Sequence, residues 1–256
     1  MATELETDHP VKAAATSFRI IESLRELDGA GVAELADYLG MPKSTVHDHL
    51  RTLTDIEYLV QRDGEYHVGV RFLELGGYVR NGMKLHRVAA PEVKKLAEET
   101  GEHANLVVEE HGMGIFLHKV KGKDAVQLDT HVGMRTHLHT TATGKAILAH
   151  LPEERVEAII ASHGLPGVTE RTITDRETLF EDLAEIRERG YAIDDQERVE
   201  GMRCVAAPLR GPNGDPLGAL SVSGPMSRFD DDVFVEEIPK TVLSSANVVE
   251  VNMTYA

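Results

Sequence analysis

The chain has 256 residues, 41% of them hydrophobic, a formal net charge of −16 at pH 7 and a single cysteine. That length allows two ordinary domains with real cores, and no apolar run is long enough to cross a bilayer. One cysteine rules out a disulfide framework and fits a reducing cytoplasm.

Residues 1–9 are acidic and lack the apolar stretch of a leader, so they read as a disordered lead-in rather than a signal peptide. Residues 12–27 read as an amphipathic helix, with Ala15, Phe18, Ile21, Leu24 and Leu27 as its stripe. The stretch from Gly31 to Gly69 is the most informative. Val32, Leu35, Ala36 and Leu39 recur at helical spacing, and Gly40 follows where a helix C-terminus favours glycine. Pro42 cannot continue that helix but suits the entry of the next, whose stripe is Val46, Leu50 and Leu53. Lys43, Ser44, Thr45, His47, Asp48 and Arg51 then lie off the core, short hydroxyls first and longer polar groups beyond. Such a set suits phosphates and base edges. Asp63-Gly64 signals a type I′ hairpin, with Arg62 and His67 placed to reach a phosphate or the minor groove. Two helices at a tight turn followed by a hairpin outline a winged helix-turn-helix, which lays one helix in the DNA major groove. The pattern alone also fits a plain helical bundle with polar faces. Residues 1–80 hold 8 basic against 14 acidic side chains, whereas DNA-binding surfaces are usually basic.

Residues 71–85 read as a connecting helix through Phe72, Leu75 and Val79, with Gly76-Gly77 as a flexible joint. Pro91 reads as opening a further helix, closed by Gly101. Strands are expected at 104–109 and 115–120, joined through His111, and at 126–130. Helices are expected at 143–151, 153–162 and 178–189. Strands at 191–193, 203–209 and 217–223 follow, the last two flanking Gly211-Pro-Asn-Gly214, and a helix over 231–251 ends the pattern. This is an α+β domain with a mixed, largely antiparallel sheet.

Ser221 and Ser223 are two apart on a strand and share a face; Leu220 and Val222 take the other. The pair reads either as a polar pocket floor or as residues tolerated on a half-exposed strand. Ala142-Thr143-Gly144 opens a helix, whose free N–H groups attract carboxylates. Gly144-Lys145 is not a phosphate loop, because His139 stands where the first glycine belongs and Ala146 where a hydroxyl is required. His131, His137 and His139, with Cys204 in reach, do not make a metal set, and His47 and His49 diverge on their helix. Asp194, Cys204 and His139 would be the set for an enzyme, but Cys204 lies in an apolar strand and reads as structural.

Seven motifs carry a wider resemblance. They are Leu35-Ala36, Leu39-Gly40-Met41-Pro42-Lys43-Ser44-Thr45-Val46 and Leu50-Arg51-Thr52-Leu53 in the first part. In the second are Thr100-Gly101-Glu102, the run from Leu138 to Ala146, Arg189-Gly190-Tyr191-Ala192, and the run from Ala219 to Pro225. Over nearly its whole length the chain resembles the IclR-type transcriptional regulators. The resemblance implies a winged helix-turn-helix over 10–70 (helix-turn-helix about 31–53), a linker helix over 71–85 and a GAF-like effector-binding domain over 86–256. It implies a homodimer or tetramer on double-stranded promoter DNA, controlled by a small organic acid or sugar acid, with no catalysis, cofactor, metal or membrane. Carried over from similar members, the effector contacts are Ala142, Thr143, Asp194, Cys204, Ser221 and Ser223. Beside a bound carboxylate Asp194 repels unless protonated or bridged, which favours a hydroxy, amino or sugar acid. The expected target is sugar or sugar-acid catabolism, with amino-acid catabolism second and a sensor or enzyme that does not bind DNA as the reading of another class. Only 10 of the 27 basic residues are lysine and tryptophan is absent; that composition points to high internal salt and a halophilic archaeon.

Overall fold

The computed structural model describes residues 9–255, so all of the expected lead-in but His9 lies outside the described residues. The chain forms two compact units, one ending at Val79 and one beginning at Arg80.

The first unit packs α1 (Lys12–Glu26), α2 (Val32–Leu39) and α3 (Lys43–Asp55) beside a hairpin of β1 (Leu59–Arg62) and β2 (Glu65–Val68). Gly40 is left-handed at φ 63°, and the Met41 N–H closes the end of α2 on the Ala36 carbonyl at 2.9 Å. Asp63 and Gly64 have φ of 51° and 91°, the two positive values that a type I′ turn requires. Ile20, Leu24, Leu35, Val46 and Leu50 are fully buried at the centre. The stripe of α1 differs from expectation, because Ile20 is buried and Phe18 is 60% exposed. Stepping by three residues drifts about 60° per step around a 3.6-residue helix. Phe18 is therefore turned off the face, which Ile20, Ile21 and Leu24 share.

The division between the units falls within α4 (Phe72–Gly82). The connecting helix expected over 71–85 ends earlier, at an extended Met83 with ψ 117°, and α5 (Lys84–Thr100) begins there. Pro91 therefore lies inside α5 rather than opening a helix. Leu85, Ala89, Val93, Leu96 and Ala97 hold both sides of the proline on one buried face. That packing outweighs the ~3 kcal/mol an interior proline costs.

The second unit is built on a six-stranded sheet whose neighbours all pair antiparallel. Its strands are β3 (His103–Glu110), β4 (Met113–Lys121), β5 (Arg135–His137), β6 (Ala192–Asp195), β7 (Met202–Arg210) and β8 (Pro216–Pro225), in spatial order β5-β4-β3-β8-β7-β6. One face packs on α5 and on α9 (Ile238–Tyr255), which follows a π-turn at Val233–Glu237. The other face packs on α6 (Ala142–Leu148), α7 (Glu153–His163) and α8 (Arg176–Arg189). The strand expected at 126–130 is irregular chain, tied down by side chains rather than by a ladder. His103 Nε2 meets the Val126 carbonyl at 2.6 Å, and Lys119 Nζ donates to the Thr130 carbonyl at 2.8 Å. The edge strand is the three-residue β5 instead.

Candidate functional site

Val46, Leu50 and Leu53 anchor α3 in the core of the first unit, so its other faces turn outward. Lys43, Ser44, His47, Asp48 and Arg51 are exposed and Thr45 is half-buried. Acidic side chains lie near the basic ones on this face: Arg51 Nε is 3.9 Å from Asp55 and His47 Nδ1 3.7 Å from Asp48. His49 turns the other way, as its divergence from His47 requires, and its Nδ1 meets Ser17 Oγ at 2.9 Å. Arg62 is exposed at the tip of the hairpin. His67 is half-buried over Gly29, where a Cβ would fall 2.2 Å from its ring. It is thus a packing residue and does not project from the wing.

The second unit carries a small cavity of about 40 Å³, partly open to solvent, on the α6 side of the sheet. Antiparallel register builds its floor. Asp194, Cys204 and Ser223 stand opposite one another across β6, β7 and β8. One row over, Ser221 stands opposite Asn105 of β3. The Asn105 carboxamide Nδ2 donates to Ser221 Oγ at 3.1 Å and Ser223 Oγ at 3.4 Å, and Ser223 Oγ reaches Cys204 Sγ at 3.1 Å. Thr141, Thr143, Phe116, Leu128, Thr130, Arg198 and Met202 complete the walls.

Five of the six residues expected here, Thr143, Asp194, Cys204, Ser221 and Ser223, line this cavity together. Ala142 does not: its methyl packs in the core and Thr141 takes its place. Thr141 is the extended N-cap of α6, its hydroxyl accepting from the Gly144 N–H at 3.0 Å, so side chains alternate inward and outward at this entry. Asn105 and Arg198 were not expected. A lone amide inside the apolar run Ala104 to Val108 is a signal the sequence does carry; Arg198 sits in the loop between β6 and β7 and carries none.

Asp194 is buried, and Oδ1 accepts from the N–H groups of Glu197 at 2.7 Å and Arg198 at 3.4 Å. Burial, and then the nearby Glu197 carboxylate, push its pKa up to about 7. Burial, and then Asp194, push the Cys204 thiol up to about 12. Cys204 is therefore a thiol and no nucleophile. His139 is held elsewhere, its Nε2 on the Pro166 carbonyl at 3.1 Å, so the Asp194, Cys204 and His139 set that an enzyme would need is not assembled. Among the described residues no three His, Cys, Asp or Glu side chains are arranged to hold a metal ion.

Behind the cavity lies an ion cluster. Lys145 is 1% exposed. Its Nζ donates to Glu197 Oε1 at 2.6 Å and is ion-paired with Asp182 Oδ2 at 2.8 Å. Gly144 before it is obligatory: a Cβ there would lie 2.0 Å from the Leu138 carbonyl oxygen. The Gly-Lys pair thus serves close packing and a buried ion pair, not phosphate.

A winged helix-turn-helix with an outward polar helix, followed by a domain with a small cavity floored by polar side chains, is the arrangement of a ligand-responsive DNA-binding transcriptional regulator. The chain matches "IclR helix-turn-helix domain" over residues 13–63 and "Bacterial transcriptional regulator IclR C-terminal" over residues 78–251. It belongs to the IclR family. It is 36% identical over 250 residues to the "Probable HTH-type transcriptional regulator ArcR" of Halobacterium salinarum, covering 96% of this chain and 95% of that one. It is 31% identical to the acetate operon repressor of Salmonella typhimurium, covering 99% and 93%. The crystal structure of an IclR homolog from Microbacterium hydrocarbonoxydans complexed with 4-hydroxybenzoate superposes with a TM-score of 0.80 at 26% identity, covering 95% of this chain and 100% of that one. The chain is a transcriptional regulator and not an enzyme. No helix among the described residues is long and apolar enough to cross a membrane.

Proposed function

We propose that this regulator holds promoter DNA through α3 and the hairpin, and that a small hydroxy or sugar acid in the cavity controls that grip. On this reading it governs genes of sugar or sugar-acid catabolism in the cytoplasm of a halophilic archaeon. The observation that carries the effector class is the cavity floor: Asn105, Ser221, Ser223 and Asp194, the last with its pKa raised to about 7, offer hydrogen bonds to hydroxyls. The solved relative with a bound hydroxybenzoate supports a hydroxylated acid, and the relative from Halobacterium salinarum supports the source.

Lys43, Arg51 and Arg62 take phosphates, while Ser44, Thr45, His47 and Asp48 face base edges. A homodimer or tetramer follows from α4. It buries no residue of its own, and Leu75, Tyr78 and Val79, spaced i, i+3, i+4, are 48%, 81% and 60% exposed, an apolar face that a second copy covers. The test is retention of the upstream region of the regulator's own gene cluster in a gel shift at molar KCl, against random competitor. Specific retention, released by a hydroxy or sugar acid but not by amino acids, is the expected result. Random DNA competing equally well would remove the DNA-binding reading of these residues. Arg51→Ala should weaken binding to all sequences alike and reduce its salt slope by about 1; an unchanged slope rejects the phosphate role.

A further inference from the structure

The cavity holds one cation with a loose partner. Arg198 lines the cavity with its side chain only 15% exposed, yet its acid, Asp129, is 66% exposed. A single nitrogen, Nη2, reaches both Asp129 oxygens at 3.3 Å, well beyond the ~2.8 Å of a strong guanidinium–carboxylate bond. The other cations nearby are committed. Arg203 has Nε on Asp195 and Nη1 on Asp231, each at 2.9 Å, with the Phe229 carbonyl at 2.8 Å. Lys119 is bonded to the backbone and hydroxyl of Thr130. Across the same cavity Asn105 is 4% exposed, and its Oδ1 has no partner although Nδ2 serves two serines.

We propose that Arg198 is the anchor for the effector carboxylate, with Asp129 holding its guanidinium until the effector replaces it, and that Asn105 selects effectors bearing a hydroxyl. This rests on the acid-effector reading above and names the residues that enforce it. A ligand carboxylate inside the cavity can take the guanidinium fork in bidentate fashion, which the exposed Asp129 does not. A hydroxyl both donates and accepts, so it satisfies the free atom of Asn105 in either orientation of the carboxamide. A methylene satisfies neither and leaves a buried polar atom unpaired. The ligand class is therefore a small hydroxycarboxylic acid. Asp194, raised to about 7, takes a proton readily at neutral pH and in that form sits beside such a ligand without repelling it.

Calorimetric titration of the full chain with glycolate, lactate, glycerate and gluconate, together with acetate, propionate and lactamide, tests the assignment. In the wild type at least one hydroxy acid should bind about tenfold to a hundredfold tighter than its deoxy partner. Asn105→Ala should erase that preference. Arg198→Met should weaken the acid about a hundredfold or more and bring acid and amide level, while Arg198→Lys, which keeps the charge without the fork, should fall between. Asp129→Asn should tighten binding, by up to about fivefold, because an exposed competitor is gone. Circular dichroism confirms that each variant is folded. A hydroxy acid bound equally by the wild type and Arg198→Met overturns the anchor and leaves the acid reading standing. A preference for the hydroxy acid over its deoxy partner that survives Asn105→Ala overturns the selector. Lactamide bound in preference to every acid, or no member bound at all, overturns the acid reading and this assignment with it.

Discussion

Lys145 offers the sharpest test of how the second unit is held together. Lys145→Met keeps the length of the side chain and removes its charge. In the wild type the ammonium is 1% exposed between Glu197 at 2.6 Å and Asp182 at 2.8 Å. Asp182 retains a second cation, Arg189, at 3.5 Å. Glu197 is left buried and unpaired. Removing one partner of a buried pair costs about 3–5 kcal/mol, or roughly 6–20 °C in Tm for a unit of this size. The cost depends on pH in a definite sense. Burial already raises the Glu197 pKa, with Lys145 as the largest opposing influence; without Lys145 the carboxyl rises further. A raised acid lends stability at low pH and loses it as pH climbs through its folded-state value. The deficit of the variant must therefore be smaller at pH 5 than at pH 8. A buried pair is also poorly screened, so the deficit should persist in molar KCl. Urea melts of both proteins at the two pH values supply the numbers, with Lys94→Met as control, its exposed pair with Glu98 spanning 3.7 Å. A deficit under about 1 kcal/mol at pH 8, or one independent of pH, would refute the reasoning.

Asp194→Asn should stabilise the protein at pH 8. The wild-type carboxyl, raised from 3.8 to about 7, loses stability as pH rises across that interval, by up to about 4 kcal/mol at 1.36 kcal/mol per unit. Urea melts should therefore coincide near pH 4 and separate by pH 8, and curves that stay together at both would show that Asp194 is not buried as described. Gly144→Ala should cost more than roughly 3 kcal/mol or prevent folding, because its Cβ would meet backbone atoms of Leu138 at 2.0–2.6 Å. Gly76→Ala, which meets nothing within 4 Å in a helix, should instead raise Tm through about 0.5–1 kcal/mol. Paired thermal melts check both.

What was legible in the sequence follows from where each signal acts. Gly40, Pro42 and the Asp63-Gly64 turn each demand a particular local backbone, so the helix-turn-helix and its hairpin could be read directly. The cavity floor was half legible. Alternation on one strand places Ser221 and Ser223 on a shared face, but nothing local brings Asn105 opposite them; only the pairing of β3 with β8 does. Arg198 reaches the cavity from an irregular loop, and the edge strand β5 exists because Arg135–His137 finds Met113–Ile115. Both are products of tertiary contact. Ala142 rests on the resemblance rather than on any local signal; its methyl packs in the core, and Thr141, the extended cap before it, lines the cavity. Pro91 misled for a different reason: a local helix breaker yielded to five buried neighbours.

The same contrast between local chemistry and setting governs the charge. On the reading proposed above, the exposed face of α3 carries Lys43 and Arg51 against Asp48 and Asp55, and the hairpin adds Arg62. Three cations per copy neutralise at most about three phosphates, and each contributes a slope of roughly −0.9 in log affinity against log salt. A tenfold rise in salt then costs a copy about 500-fold, where a copy making six such contacts would lose about 250,000-fold. Adding basic residues would thus add affinity at low salt that high salt takes away. A sparse cationic face loses little by moving to molar salt, and the affinity it needs there must come from terms that salt does not screen. Those are base-edge hydrogen bonds from Ser44, Thr45 and His47, and the pairing of copies through the apolar face of α4. An acidic DNA-binding unit, which at ordinary ionic strength argues against DNA binding, is in that setting the economical way to keep specificity.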